Sequence, residues 1–67
     1  MDNYELGTVR DVNWKKHEMI IEDCCGFSYV ASFNDWYGRT KPWSKKMVTF
    51  RAYARNGVAY ATDVTEV

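Results

Sequence analysis

The sequence predicts an all-β domain, a five-stranded Greek-key barrel, and three observations carry that expectation. Apolar and polar residues alternate with the period of two that buries one face of a strand. Turn-forming clusters punctuate the chain at short intervals. No stretch of useful length shows helical periodicity. An SH3-like barrel has similar strand content and is the main alternative.

Residues 6–13 open the chain with Thr8, Val9 and Val12 in strand-like alternation. Glu18-Met19-Ile20-Ile21-Glu22 is a short apolar run between charges, and Asp23-Cys24-Cys25-Gly26 reads as a turn, with Gly26 free to take a positive φ. In the third strand Phe27, Tyr29, Ala31 and Phe33 alternate with Ser28, Val30 and Ser32. Residues 34–44 lack periodicity and hold Gly38 and Pro42, so they form the long loop. Alternation resumes over Met47–Arg55, with Val48, Phe50, Ala52 and Ala54 on one side. Asn56-Gly57 is the strongest turn signal, because both central residues of a type I′ turn need positive φ. Val58–Thr65 then returns as the hairpin partner of that strand.

The 67 residues make a single domain, residues 1–67, with no room for a second core. Eleven aromatics among them supply large buried areas at few positions, which argues against disorder. Net charge is zero but unevenly spread. Residues 36–62 carry six basic side chains (Arg39, Lys41, Lys45, Lys46, Arg51, Arg55) and no acid, while the remainder holds all nine acids. A zero total can hide one positive surface beside a negative one, and the competing reading, which weighs slightly more, is a solvated surface kept soluble by its charges.

No catalytic constellation stands out, and an enzyme is not expected. His17 lies between Lys16 and Glu18 with no nucleophile or orienting acid nearby in sequence. Cys24 and Cys25 are adjacent, and neighbouring cysteines rarely pair with each other. No second cysteine pair exists to complete a zinc site, so neither a metal nor another cofactor is expected. Reduced thiols, together with the lack of a signal peptide or a membrane-length apolar run, imply a cytoplasmic protein with no membrane partner. No small-molecule substrate is evident.

Gly7-Thr8-Val9-Arg10 with Asn13, Val48-Thr49-Phe50, and Ala61-Thr62-Asp63-Val64-Thr65 together resemble the cold-shock domain, a five-stranded OB-fold barrel. The resemblance spans nearly the whole chain and runs without a gap from Gly7 to Trp36; the loop that follows is shorter than in the family. Val9, Val12, Ile21, Gly26, Val48, Phe50, Ala61 and Val64 suit its inward-facing or turn positions. The resemblance implies a cold-shock-like fold and binding of single-stranded RNA or DNA with low sequence specificity, by stacking of exposed rings.

The stacking positions themselves are altered. By register with the family motifs, Asp11 stands for a first-strand Trp, Glu18 and Ile20 for two second-strand Phe, and Val30 and Ser32 for a third-strand Phe and His. Phe33 remains as a ring, with Arg10 and Lys16 as basic neighbours. Each base stacked on a ring is worth about 1–3 kcal/mol, so these changes remove most of the family's platform. Asp11 and Glu18 also repel phosphates.

Nucleic-acid binding would therefore rest on a relocated surface. Electrostatic capture falls to Lys15, Lys16, Arg39, Lys41, Lys45 and Lys46, with Arg10, and stacking to Phe33, Trp14, Trp36 and Trp43. The competing packing role has these tryptophans capping the barrel ends. The alternative function is a small protein-binding adaptor or inhibitor that uses the altered sheet face around Ile20 and Val30, or the loop residues Trp36-Tyr37-Gly38-Arg39 and Lys41-Pro42-Trp43.

Overall fold

Five strands follow one another in chain order in a computed structural model that describes residues 4–67: β1 (Glu5–Asn13), β2 (Glu18–Asp23), β3 (Ser28–Ser32), β4 (Met47–Arg55) and β5 (Val58–Glu66). They close into a barrel in the order β1-β2-β3-β5-β4. All neighbours are antiparallel except β3 and β5, whose parallel pairing aligns Val30 with Tyr60. This is an all-β barrel of the OB-fold type. The β1–β4 ladder, from Glu5 opposite Phe50 to Thr8 opposite Met47, closes it.

Two irregularities let so short a sheet curl on itself. One lies in β1 between Val9 and Asp11; the other lies between β4 and β5, where Phe50 faces a β5 segment kinked at Asp63, with φ at +51°. Bulges bend a strand and sharpen its twist, which closure of a five-stranded sheet demands.

Val9, Met19, Ile21, Ala31, Val48, Phe50, Ala61 and Val64 form the fully buried core, with Val12, Tyr29 and Trp36 packed against it. Burying each of the larger side chains contributes about 1.5–3 kcal/mol. Gly7 lies against this core for a steric reason: a Cβ there would stand 2.7 Å from the Glu22 carbonyl oxygen and 2.9 Å from the Phe50 ring. The predicted turns also form, with Asn56 at φ +52° and Gly57 at +78°.

Three expectations change in the structure. Phe27 lies in the β2–β3 turn and is 67% exposed, outside the inward alternation of β3. Phe33 leaves that strand as the first residue of a 3-10 turn, Phe33–Asp35, capped by Ser32 Oγ accepting from the Asn34 amide. Ala52 and Ala54 continue the alternation of β4 but remain exposed, because nothing covers that end of the β4–β5 hairpin.

Candidate functional site

The alternation of β2 and β3 fixes which side chains face out. Met19, Ile21 and Ala31 are buried, so Glu18, Ile20, Glu22, Val30 and Ser32 turn to the outer face. Asp11 pairs with Ile20, Ile20 with Val30, Val30 with Tyr60, and Tyr60 with Tyr53. One row thus crosses all five strands, an acid at one end and two tyrosines at the other. The tyrosine rings stack with centroids 5.4 Å apart and planes 21° apart. Tyr53 and Tyr60 were absent from the sequence-derived site, although the Asn56-Gly57 turn implies their pairing: with Arg55 opposite Val58, Tyr53 must fall opposite Tyr60.

A second surface forms where the β1–β2 turn meets the β3–β4 loop. Asn13 Oδ1 accepts from the Lys16 amide at 3.0 Å, which folds Trp14–His17 into a tight turn, and His17 takes the left-handed φ of +55°. The His17 carbonyl accepts from the Phe33 amide at 2.9 Å and locks this turn to the end of β3. Phe33 therefore sits between two rings, Trp14 edge-on at 5.1 Å and His17 at 5.4 Å. Trp14 also lines an open, almost wholly apolar trough of about 360 Å3 with Thr40, Lys41, Pro42 and Trp43. Trp14 is 50% and Trp43 59% exposed, so both rings have faces free for a ligand.

Glu66 holds the far wall of the trough. Its Oε1 accepts from the Thr40 hydroxyl at 2.8 Å and the Thr40 amide at 3.2 Å, while Oε2 lies 3.5 Å from Lys46 Nζ. These contacts, the Thr40 hydroxyl first, lower the Glu66 pKa and keep the carboxylate charged. The same Lys46 ammonium stands 5.4 Å from the centroid of the Trp43 ring. Lys45 is fixed from β1: its amide donates to the Val9 carbonyl at 2.6 Å, and Lys46 returns a carbonyl to the Val9 amide at 2.8 Å.

The expected site residues divide accordingly. Trp14, Phe33, Lys41, Trp43 and Lys46 come together; Lys15 and Lys16 stand exposed on the turn that carries Trp14, and Lys45 adjoins Lys46. Trp36 is packed against the core, its Nε1 donating to the Thr40 carbonyl at 2.6 Å. Its ring leaves no room for a side chain at position 38, which explains Gly38. Trp36 is therefore a support beneath the loop, the packing role weighed for it. Arg39 lines a different depression with Tyr37, Gly38, Glu66 and Val67, and Arg10 is engaged by Glu22 at 2.8 Å. His17 and Thr40 are additions that only the folded chain reveals, and Pro42, named from sequence with Lys41 and Trp43, lines the trough beside them.

The arrangement can hold a flat, unsaturated group against the Trp14 and Trp43 rings, with the cations Lys41 and Lys46 beside them. His17 packs against Phe33, and among the described residues no three His, Cys, Asp or Glu side chains converge on a metal position. Also among them, no helix is long and apolar enough to cross a membrane. The sequence matches no family model and no curated protein.

Proposed function

We propose that the protein binds single-stranded nucleic acid, RNA or DNA, with little sequence preference, through the Trp14–Trp43 trough instead of the outer sheet face. The observation that carries this reading is the apolar trough that Trp14 and Trp43 line with Lys41, where Phe33 backs the Trp14 ring and the Lys46 ammonium stands over Trp43. Bases supply π-faces for such rings, and the cations supply countercharge for phosphates. The acid-free stretch from residue 36 to 62 contributes the loop wall of that surface. The resemblance to cold-shock domains supports the ligand class, and Asp11 and Glu18 explain why the site has moved.

Titration with a short oligothymidine or an unstructured RNA tests this. Tryptophan fluorescence should quench at low salt, with affinity falling steeply as salt rises. Absence of quenching at low ionic strength overturns the reading. A second reading, protein binding, is favoured by the Ile20–Val30–Tyr60–Tyr53 row. It predicts a partner that survives nuclease treatment and is lost on substituting Val30 with Asp.

A further inference from the structure

The loop that forms one wall of the trough also borders a second hollow on the near side of Thr40. Tyr37, Gly38 and Arg39 line an open depression of about 440 Å3 against Thr65, Glu66 and Val67 at the end of β5. The two hollows meet at one wall. Thr40 lines the trough, Glu66 lines the depression, and the Glu66 carboxylate accepts from the Thr40 hydroxyl at 2.8 Å. Trp36 supports this wall through its indole N–H, which donates to the Thr40 carbonyl. A Cβ at position 38 would collide with the Trp36 ring and stand 2.6 Å from Glu66 Oε1, so glycine lets the loop lie flat there. The Tyr37 amide donates to the Val64 carbonyl at 2.7 Å, which pins its backbone to β5 while the ring stays 62% exposed. Among the described residues neither the Tyr37 ring nor the exposed Arg39 side chain has an ion pair, side-chain hydrogen bond or ring partner.

We propose that this depression is a second subsite, which takes a further nucleotide of the strand seated in the trough: Tyr37 stacks on its base and Arg39 meets its phosphate. The inference rests on the trough reading and extends it. An oligonucleotide-binding barrel covers about 4–16 nucleotides, more than the rings of Trp14 and Trp43 can stack by themselves. A free phenol ring and a free guanidinium side by side are what one more nucleotide needs, since Arg matches phosphate oxygens with two parallel N–H donors. Arg39 and Lys41 flank Thr40 in the chain, so a backbone crossing the Thr40–Glu66 wall has a cation on either side of it. Glu66 is the one acid in the depression, and its two oxygens are engaged by Thr40 and by Lys46 at 3.5 Å. Arg39 is thereby left to the ligand.

The test is fluorescence anisotropy of labelled oligothymidines at low salt, using the whole chain. The parent should bind hexathymidine at least about 10-fold more tightly than trithymidine, and Tyr37→Ala should lose most of that gain while Tyr37→Phe keeps it. Arg39→Ala should flatten the slope of log affinity against log salt for hexathymidine by about 0.7. Trp43→Ala, in contrast, should weaken both lengths. Far-ultraviolet dichroism should be unchanged in the Tyr37 variants, because the residue is anchored through its backbone. Equal affinity of the parent for the two lengths, or full hexathymidine affinity in Tyr37→Ala where Trp43→Ala is weakened, overturns the subsite and leaves the trough reading standing. No binding of either length by the folded parent overturns the trough reading and the subsite with it.

Discussion

Phe33 receives the edge of the Trp14 indole at a centroid separation of 5.1 Å, and this contact joins the β1–β2 turn to the end of β3. Replacing Trp14 with Ala removes a stacking face and the brace that orients Phe33. Oligonucleotide affinity should fall by about 1–3 kcal/mol, the usual worth of one stacked base. Trp43→Ala should lose a similar amount. Lys41→Ala should weaken all sequences alike and flatten the slope of log affinity against log salt by about 0.7, the single-strand value per phosphate contact. Fluorescence anisotropy of a labelled oligothymidine reads all three.

The strands and turns of this molecule were legible because their signals are local. Val48 and Phe50 alternate and Asn56-Gly57 prescribes its own backbone, whereas Ala61 and Val64 both face inward, three positions apart, because β5 kinks at Asp63. The trough was half legible. Trp14, Phe33 and Trp43 are plain as residue types, but their convergence depends on the His17–Phe33 hydrogen bond and on Glu66 gripping Thr40 from 26 positions away. No local pattern encodes such contacts. Trp36 has the same composition cues as Trp43, yet its indole N–H finds the Thr40 carbonyl and its ring the core.

Glu66 offers a separation of charge from position. An acid beside the proposed nucleic-acid surface should oppose binding, yet this carboxylate holds Thr40 and Lys46 in place. Glu66→Gln keeps an oxygen for Thr40 and removes the charge, so affinity should hold or rise up to a few fold. Glu66→Ala removes the grip and should lower affinity several fold. Equal effects of the two substitutions in the same anisotropy assay would show that the carboxylate acts through charge alone.

Asp11 and Glu18 lie on one outer face, Asp11 opposite Ile20 and Glu18 opposite Ser32. Asp11→Trp with Glu18→Phe would replace two repelling charges by two stacking rings. Both positions are exposed, so the fold should tolerate them. Affinity for single strands should rise by at least 10-fold, on the scale of one added stack. Unchanged affinity in a folded double variant would mean that the sheet face lies outside the path of the strand.

The Tyr29–Asp23 hydrogen bond, 2.8 Å long, gives stability a dependence at both ends of the pH scale. That bond is the main cause that lowers the Asp23 pKa below its ordinary 3.8, and the main cause that raises Tyr29 from 10.0 to about 12. A depressed carboxylate stabilises the fold above its ordinary pKa, and the contribution disappears as pH falls through the lowered folded value. A raised phenol stabilises the fold below its ordinary pKa, and the contribution disappears as pH climbs from 10 toward 12. Tyr29→Phe keeps the ring against Phe50, centroids 5.0 Å apart in the parent, but deletes the hydroxyl. Its melting temperature should lie a few degrees below the parent's near neutral pH. The gap should narrow below pH 3.8 and again above pH 10, as each partner changes protonation. Narrowing at the alkaline end alone would place the acid sensitivity in the amide bonds that Asp23 makes to its own turn, which the substitution leaves intact.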